Sequence, residues 1–380
     1  MGRVVRDASD ATYAGAVRIG IIGAGAVGGT LAALLNRAGH SVEVAARGAH
    51  LDAIKARGLE LTGAWGSHTA HVLASTTLQR APELAIVATK AQDAAAAVRP
   101  ASKLLAGVPV LIVQNGLDPL DALRAELPGA DVVGGLALFA ASHLRAGDVH
   151  VTATGSLVIG GDLSDAGLGS LFAARALREV MPVSISRDFA GAQWTKLIVN
   201  QVNALPAITG LSAQEVIADP RLRYIMTASI REAVRVGIAS GVHFESIQSL
   251  SHGLLRAIAA APVSLSQLMP LALSRRMGAV PNPGSTLQSI RRGSPTEIDH
   301  LNGAIVRAGA ASGTPAPINA RMVELVHEVE RNGEFITADA VAARIADVKV
   351  ADRSLIWNTD LIETLELDNM LPPAVVTMHS

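Results

Sequence analysis

The sequence has no cysteine and very few aromatic residues. Aromatic side chains make up 3% of the 380 residues, whereas hydrophobic residues as a whole make up 49%. The absence of cysteine excludes disulfides, thiolate catalysis and cysteine-ligated metal sites. With so few rings, the core has to be built from Ala, Val, Leu and Ile, which suits parallel strands and closely packed helices. We therefore predict an α/β protein, and the length favours two domains.

The chain also lacks an excess of charge of either sign. Lys and Arg number 32 and Asp and Glu number 33, so the formal net charge is -1. This balance provides no basic field, and we expect neither nucleic acid nor a membrane as a partner. The 11 histidines show no HExxH-like spacing, so we expect no metal site. The expected partner is a small molecule.

The N-terminal segment lacks the apolar run of a signal peptide or a membrane span. Residues 1–16 instead carry charged side chains, among them Arg3, Arg6 and Asp10. We predict that these residues form a flexible leader. Together with the missing cysteines, this favours a cytoplasmic protein.

Strand-like and helix-like segments alternate from Val17 to Asp188. An apolar run is followed by a glycine turn and by an apolar-periodic stretch, which is typical of a strand, a turn and a helix. Because right-handed crossovers leave few other topologies, this alternation predicts a Rossmann-type, doubly wound and mostly parallel sheet. The predicted strands are 17–22, 41–46, 84–89, 108–114, 132–137 and 156–160.

Beyond Asp188 the strand signals fade, and long Ala- and Leu-rich stretches predict an all-helical domain over residues 189–350. Residues 351–380, with Leu371-Pro372-Pro373, are predicted to be a C-terminal extension. The Ala-rich helices offer a surface for a homodimer. The predicted helical stretches are 190–208, 212–241, 246–278, 296–312, 315–331 and 335–346.

The first strand leads directly into a GxGxxG motif, which opens a helix. Gly23 permits a tight turn, Gly25 lets the backbone approach a pyrophosphate, and Gly28 lets the helix and the strand pack closely. The alternative is a glycine-rich turn without a ligand. The predicted dinucleotide-binding residues of this motif are Gly23, Ala24, Gly25, Ala26, Val27 and Gly28.

Two cations stand at strand ends near this motif. The second strand ends with Arg47, where NAD-preferring proteins usually carry an acidic residue for the ribose 2'-hydroxyl. A guanidinium there is suited to a 2'-phosphate, so we predict NADPH as the cofactor. Lys90 ends another predicted strand and is expected to add positive charge near that phosphate. The alternative for both residues is an ordinary solvated surface position.

Three further segments carry a family resemblance: Val113–Gly116 after a strand, Trp194–Asn200 at the start of the helical domain, and Pro295–Gly303. Together with the glycine motif, they resemble the ketopantoate reductase (2-dehydropantoate 2-reductase) family over about residues 17–330. The resemblance implies NADPH-dependent reduction of a small 2-oxo acid to the 2-hydroxy acid. It makes 2-dehydropantoate, which is reduced to pantoate, the leading substrate.

Lys196 is the predicted catalytic residue. Hydride delivery to a carbonyl carbon builds an alkoxide that has to be protonated or neutralised, and a positioned lysine does both. Asn200 lies four residues later, so both side chains project from one helix face. The resemblance implies that Lys196 is the general acid and that Asn200 binds substrate. The alternative is an exposed helix lysine.

The remaining candidate residues come from the resemblance. It implies that Glu297 binds substrate or orients the lysine and that Ser285 contacts the substrate carboxylate. Where the family has a second asparagine this chain has Ala204, and Asn203 is the nearest candidate because position i+7 lies only about 20° from the direction of the lysine.

Two of these assignments have structural alternatives. Ser294-Pro295-Thr296-Glu297 also fits a capping box, in which Glu297 is the N3 residue and needs no substrate. Asn115 stands at the carboxyl edge of the sheet, where it can bridge nicotinamide and substrate, but Asn-Gly is also a common turn.

The match to the family is weakest in two places. The segment 264–283 is expected to be a longer loop that reshapes the pocket, and His300 stands where the family usually has tyrosine. The alternatives are therefore a reductase of another 2-oxo acid, an opine-type or 3-hydroxyacid dehydrogenase, and a non-catalytic NADPH-binding sensor.

Overall fold

The structure is a computed structural model, and it describes residues 15–117, 119–143, 145–160, 168–277, 281–346 and 348. Nearly all of the predicted leader, residues 1–16, and the whole predicted extension, residues 351–380, lie outside the described residues. The described strands are β1 (Arg18–Ile22), β2 (Ser41–Ala45), β3 (Leu59–Gly63), β4 (His68–Ala70), β5 (Leu73–Ser75), β6 (Leu84–Val87), β7 (Pro109–Val113), β8 (Asp131–Ala137), β9 (Ala140–Ser142), β10 (Asp148–Ala153), β11 (Leu157–Gly160) and β12 (Val183–Ile185).

The described α-helices are α1 (Ala26–Arg37), α2 (Gly48–Arg57), α3 (Ala94–Val98), α4 (Pro119–Glu126), α5 (Leu168–Arg178), α6 (Phe189–Asn200), α7 (Ala204–Thr209), α8 (Ala213–Ala218), α9 (Pro220–Ala239), α10 (His252–Ala260), α11 (Val263–Ser266), α12 (Leu268–Met277), α13 (Gly284–Arg291), α14 (Asn302–Ala311), α15 (Pro317–Asn332) and α16 (Ala338–Ala346). Short 3-10 helices span Ala91–Asp93, Arg99–Leu105, Gln201–Asn203 and Ile298–His300.

The main sheet has eight strands in the order β12-β11-β8-β7-β6-β1-β2-β5. The six neighbouring strands β8-β7-β6-β1-β2-β5 are parallel to one another, and β11 runs antiparallel to β8. All six predicted strands belong to this sheet. The strand order reverses beside β1, and ligands of doubly wound sheets bind at the carboxyl ends of the strands next to such a reversal. The predicted Rossmann-type sheet is therefore confirmed.

A second sheet, in the order β4-β3-β10-β9, was not expected from the sequence. Its apolar side chains belong to the same core as the buried face of α1, and they include Leu59, Leu61 and Val149. Its strands are short or only partly buried, so their apolar pattern is weak. This sheet covers one side of the glycine-turn helix, because a Cβ on Gly29 of α1 would lie 2.7 Å from Val149.

The chain after Asp188 is helical as predicted, but its helices are shorter than the periodic stretches. The stretch 246–278 divides into α10, α11 and α12, since Pro262 precedes α11 and cannot continue α10. The prediction of a loop over residues 264–283 is wrong for most of this segment, because residues 263–266 and 268–277 are helical. Helix α13 was missed by the sequence interpretation. Among the described residues, no helix is long and apolar enough to cross a membrane.

Helix α9 is the centre of the helical domain's core and provides a cap for α15. The buried Glu232 of α9 accepts hydrogen bonds from the backbone N–H groups of Ile318 and Asn319 in the first turn of α15, each at 3.0 Å. These N–H groups have no partner within their own helix, so the carboxylate satisfies them. Burial raises the pKa of Glu232 to about 7, against the opposing effect of these bonds.

Helix α6 is fixed on the main sheet by an aromatic ring in a notch between two glycines. The ring of Phe189 lies against Gly134 of β8 and Gly160 of β11. A Cβ on Gly134 would lie 2.2 Å from the ring, and one on Gly160 would lie 2.3 Å from it. Because real Cβ contacts are longer than this, both positions require glycine. The notch sets where α6, with its predicted catalytic residues, begins on the sheet.

We predict that Gly160→Ala lowers the free energy of unfolding by about 1–3 kcal/mol, because the added methyl group has to displace the Phe189 ring. Urea unfolding followed by circular dichroism measures the change. Gly253→Ala is the matched control, since a Cβ there meets no atom within 4 Å. Equal stability of the two variants would contradict the proposed role of the notch.

Candidate active site

The glycine motif has the geometry that the sequence predicts for a dinucleotide-binding turn. Gly23 follows β1 with φ +96°, a conformation that favours glycine. A Cβ on Gly28 would lie 1.9 Å from the carbonyl oxygen of Gly23, so this glycine allows α1 to pack against the turn. A Cβ on Gly25, the N-cap of α1, would meet nothing within 4 Å. The backbone at Gly25 is therefore open to a ligand at the N-terminus of a helix.

A histidine pair holds this turn from the side of α2. His50 Nε2 lies 2.7 Å from the carbonyl oxygen of Ala24, so Nε2 carries the proton. His50 Nδ1 accepts a hydrogen bond from the backbone N–H of Gly147 at 2.9 Å, and it lies 3.0 Å from Nε2 of His143. Burial lowers the pKa of both histidines, that of His143 to about 4. The pair is therefore neutral at pH 7.

The two cations predicted for the cofactor site lie in different surroundings. Arg47 is exposed at the N-cap of α2, directly after β2. Lys90, after β6, donates hydrogen bonds to the Ser289 hydroxyl at 3.1 Å and to the Pro295 carbonyl of the helical domain. Burial lowers the pKa of Lys90, whereas the charge of Glu297 opposes this shift. The described contacts of Lys90 join the two domains, and its role toward a 2'-phosphate stays a prediction.

Asn115 connects the two domains through its side-chain amide. Its Oδ1 accepts a hydrogen bond from Asn200 Nδ2 at 3.2 Å, and its side chain is also hydrogen-bonded to Glu297. Because Oδ1 is the acceptor for Asn200, the NH2 group of Asn115 donates to the Glu297 carboxylate. Three residues that are distant in the sequence therefore form one hydrogen-bonded chain.

The next residue explains why the turn after β7 is Asn-Gly. Gly116 has φ +97°, and a Cβ there would lie 2.9 Å from the carbonyl oxygen of His300. Its own carbonyl accepts a hydrogen bond from Gln193 of α6 at 3.3 Å. The turn is therefore enclosed between α6 and the 298–300 helix, and only glycine fits there. The turn geometry and the predicted site position of Asn115 coexist.

Glu297 is not the N3 residue of a capping box, so that alternative is wrong. It is itself the N-cap of the short helix Ile298–His300, without a side-chain cap, and Ser294 precedes any helix. Burial raises the pKa of the Glu297 carboxyl, whereas the charge of Lys90, the backbone N–H of Ala91 and the Asn115 side chain oppose this. A carboxylate beside an amine of the cofactor domain suits a binding site better than a cap.

Lys196 lies one turn before Asn200 on the same face of α6. Burial alone lowers the pKa of its amine to about 8. Within the described part of the chain, no carboxylate or hydrogen-bond acceptor is recorded as a partner of this amine. Removal from water without a counter-ion explains the direction of the shift. The amine is therefore available to a ligand and titrates near pH 8.

The two further candidates come together where the Gln201–Asn203 helix meets the beginning of α13. Asn203 packs against Gly284, where a Cβ would lie 2.5 Å from its Oδ1. Ser285, the next residue, is exposed in the first turn of α13. Ser289, one turn later, is the residue that accepts from Lys90. Ser285 thus lies on the helix whose other end reaches the cofactor domain, and Asn203 packs against the start of that helix. The contact of either residue with a substrate stays a prediction.

A buried amide network joins α6 to the segment that carries Glu297. The side-chain oxygen of Gln201 accepts hydrogen bonds from Asn302 Nδ2 at 2.8 Å and from the Ser229 hydroxyl at 3.0 Å. Asn302 also donates to Asn319 Oδ1 at 3.0 Å. These groups have almost no contact with water, so a lost partner would leave a buried polar atom unpaired. The network fixes the distance between Asn200 and the 297–302 segment.

A second group of contacts, made by α15, holds the residues on either side of Glu297 in the chain. Glu330 of α15 accepts from the backbone N–H of Thr296 at 2.7 Å. His327 lies 2.7 Å from the Glu330 carboxylate and 3.0 Å from that of Asp299. Although burial lowers the pKa of His327, its hydrogen bonds to these two carboxylates raise it more.

Sequence reasoning missed His50, His143 and the supporting Gln201–Asn302 contact. His50 lies in the first turn of α2, three residues after Arg47, and this position beside the predicted cofactor site was the available signal. No signal pointed to His143, because it reaches the site through a loop of the second sheet. Gln201 directly follows the predicted Asn200 but was not considered.

Family models match most of the chain in two consecutive parts. The model described as ketopantoate reductase PanE/ApbA matches residues 19–162, and the one described as ketopantoate reductase PanE/ApbA C terminal matches residues 188–330. A third model, described as fumarate reductase flavoprotein C-term, matches residues 334–380. Over 34 residues, the chain is 71% identical to a succinate dehydrogenase [ubiquinone] flavoprotein subunit of Oryza sativa, which is 9% of this chain and 5% of that protein.

Similar proteins span almost the same length as the main part of the chain. A 2-dehydropantoate 2-reductase of Archaeoglobus fulgidus is 27% identical over 82% of this chain and 98% of its own. The crystal structure of a PanE/ApbA family ketopantoate reductase from Ralstonia eutropha JMP134 has a TM-score of 0.70 and 32% identity, over 83% of this chain and 98% of that chain. A ternary structure of D-mandelate dehydrogenase with NADH and anilino(oxo)acetate, at 21% identity, has the same fold with a TM-score of 0.69 over 83% of this chain and 98% of that chain.

We predict that His327→Ala lowers the free energy of unfolding by about 0.5 kcal/mol near pH 6 and by less near pH 9. The pKa of His327 is raised in the folded state, so its stabilisation is complete below the unfolded value of 6.5 and is lost as the pH rises through the raised pKa. Urea unfolding at both pH values measures the difference. The control is His71→Ala, at an exposed position of the cofactor domain. A larger effect at pH 9 than at pH 6 would contradict the ion-pair interpretation.

Proposed function

Since the chain belongs to the ketopantoate reductase family, we propose that it reduces a small 2-oxo acid to the 2-hydroxy acid with NADPH, and that 2-dehydropantoate is the substrate. As a member it is an oxidoreductase acting on CH–OH groups. The observation that carries the proposal is the position of Lys196. Its unpaired, partly desolvated amine lies one helical turn from Asn200, whose hydrogen-bonded chain leads to Asn115 and Glu297.

The residues around the glycine turn fit a dinucleotide. The open backbone at Gly25 and the free N–H groups at the start of α1 suit a pyrophosphate. Arg47 offers a guanidinium for the 2'-phosphate, and His50 fixes the Ala24 carbonyl so that the turn keeps its shape. When bound, the reduced nicotinamide supplies the hydride. Asn115, at the end of β7, would hold the nicotinamide and the substrate together at the carboxyl edge of the sheet.

The Lys196 amine would deliver the proton. With a pKa of about 8, most of it is protonated at pH 7. The proton is therefore available, and it is released more easily than from a fully solvated lysine. A cationic amine in a partly desolvated site also stabilises the negative oxygen that forms on the former carbonyl group. Among the described residues, no carboxylate is an ion-pair partner of this amine that would weaken either effect.

The other residues would bind and orient the 2-oxo acid. The Asn200 amide hydrogen-bonds to Asn115, and it would contact the substrate from the same helix face as Lys196. Asn203 and the exposed Ser285 offer polar groups for the carboxylate end of the substrate. Glu297, held between Asn115 and the charge of Lys90, would accept a hydrogen bond from a substrate hydroxyl or orient the lysine.

We predict that Lys196→Ala lowers turnover of 2-dehydropantoate by about a hundredfold or more, because a positioned proton donor is lost. In the unmodified protein, the reduction rate is expected to fall as the pH rises above about 8, since the amine then loses its proton. The variant should lose this pH dependence. The measurement is NADPH absorbance with a panel of 2-oxo acids between pH 6 and pH 10.

The control for this experiment is Lys103→Ala, which removes an exposed lysine of the cofactor domain. Near-normal turnover by Lys196→Ala would remove Lys196 from the mechanism. NADPH oxidation that requires an amino acid as co-substrate would indicate an opine-type dehydrogenase. NADPH binding without turnover of any 2-oxo acid would indicate a sensor.

We predict that Arg47→Ala weakens NADPH binding by about tenfold and leaves NADH binding nearly unchanged, because only NADPH carries the 2'-phosphate. Fluorescence titration of the reduced nicotinamide measures both dissociation constants. Arg80→Ala, at another exposed position of the same domain, is the control for the loss of one positive charge. Equal losses for the two cofactors would refute the assignment of Arg47.

A further inference from the structure

The C-terminal end of α13 lies against the cofactor domain and carries two polar residues toward it. The Ser289 hydroxyl accepts the hydrogen bond from Lys90 at the end of β6. Arg292, the C-cap residue three positions later, donates from Nη1 to the backbone carbonyl of His143 at 2.9 Å. One helix end thus contacts two separate segments of the cofactor domain.

Arg292 has no anionic partner in the part of the chain that the structure describes. Its recorded hydrogen bond goes to the neutral carbonyl oxygen of His143, which uses one of the five N–H donors of a guanidinium. Its charge lowers the pKa values of Lys90 and His143, so it lies close to both. Burial lowers the pKa of Arg292 itself. An anion bound between these two cations would offset their mutual repulsion.

The position of Arg292 relative to the glycine turn follows from the histidine pair. Arg292 contacts the carbonyl of His143, the ring of His143 contacts His50, and His50 is bonded to the carbonyl of Ala24. Two residues, His143 and His50, therefore lie between the Arg292 guanidinium and the glycine turn. Arg292 is also near Lys90, whose pKa is lowered by burial and by the charge of Arg292. These contacts link Arg292 to the turn that carries Gly25, where a Cβ would meet no atom within 4 Å.

We propose that Arg292 binds a phosphate group of the dinucleotide from the side of the helical domain. This inference rests on the proposed function, and it adds a cofactor-binding residue that lies outside the glycine motif and outside the two strand-end cations. A guanidinium binds a phosphate through two charge-assisted hydrogen bonds, which are stronger than a single bond to a carbonyl. Binding would also bring a residue of the helical domain, and with it the end of α13, into contact with the cofactor.

The chain provides a matched control in the neighbouring residue. Arg291 has the same charge and lies at the same end of α13, but its guanidinium donates to the carbonyl of Gly210 within the helical domain at 3.1 Å. Replacement of either arginine by alanine changes the net charge and the electrostatics of the helix end in the same way. Only the direction of the side chain differs.

The experiment compares Arg292→Ala with Arg291→Ala by fluorescence titration with NADPH in the full chain, and thermal unfolding checks that both variants are folded. We expect Arg292→Ala to weaken binding about ten- to a hundredfold, as loss of a charge-assisted bond does, and Arg291→Ala to change it less than about twofold. Arg292→Lys should restore part of the affinity, because it keeps the charge without the paired geometry. The salt dependence of binding should fall in Arg292→Ala alone.

Two fragments identify which phosphate Arg292 binds. Calorimetric titration with ADP-ribose tests the diphosphate, and titration with 2'-AMP tests the 2'-phosphate. A loss confined to one fragment supports the inference and assigns the group. Equal affinities of Arg292→Ala and Arg291→Ala for NADPH and for both fragments would overturn it. Failure of the unmodified protein to bind NADPH would instead refute the proposed function, so the two failures are distinguishable.

Discussion

The site depends on one amide that is shared between the two domains. Asn115 accepts from Asn200 of α6 through its oxygen and donates to the Glu297 carboxylate through its nitrogen. Since the two bonds use opposite ends of the same amide, neither partner can move without breaking one of them. The turn beneath it is enclosed on both sides, by Gln193 and by the backbone of His300. The edge of the sheet and the first helix of the second domain are thereby held in a fixed relation.

The charged groups around this amide differ in how far neighbouring groups compensate their charge. Burial raises the pKa of the Glu297 carboxyl, whereas the charge of Lys90 and the backbone and side-chain donors oppose this shift. Lys196 is desolvated without such support, and its pKa falls to about 8. A hydrogen-bonded carboxyl group is suited to orientation, and an amine that titrates near pH 8 is suited to proton transfer. Their surroundings, and not their residue types, create this difference.

Much of the main sheet could be predicted because its central strands are continuous apolar runs. Strands β1, β6 and β7 are almost completely buried, so they need no alternation to be recognised. The second sheet was missed because its strands are short or partly exposed and their pairing is long-range. Similarly, the pattern before Glu297 resembles a helix cap, but the chain forms a 3-10 turn there because Glu330 and Lys90 bind the Thr296 N–H and the Pro295 carbonyl.

The sequence by itself determined the glycine turn and the shared helix face of Lys196 and Asn200, because both follow from local backbone geometry and spacing. Only the tertiary structure decided that Asn115, Asn200 and Glu297 meet, since these residues are far apart in the chain and belong to different elements. It also decided the burial of Lys196, and hence its pKa, because desolvation depends on neighbours that no local pattern identifies. The same holds for His50 and Arg292, whose orientation follows from partners in other elements.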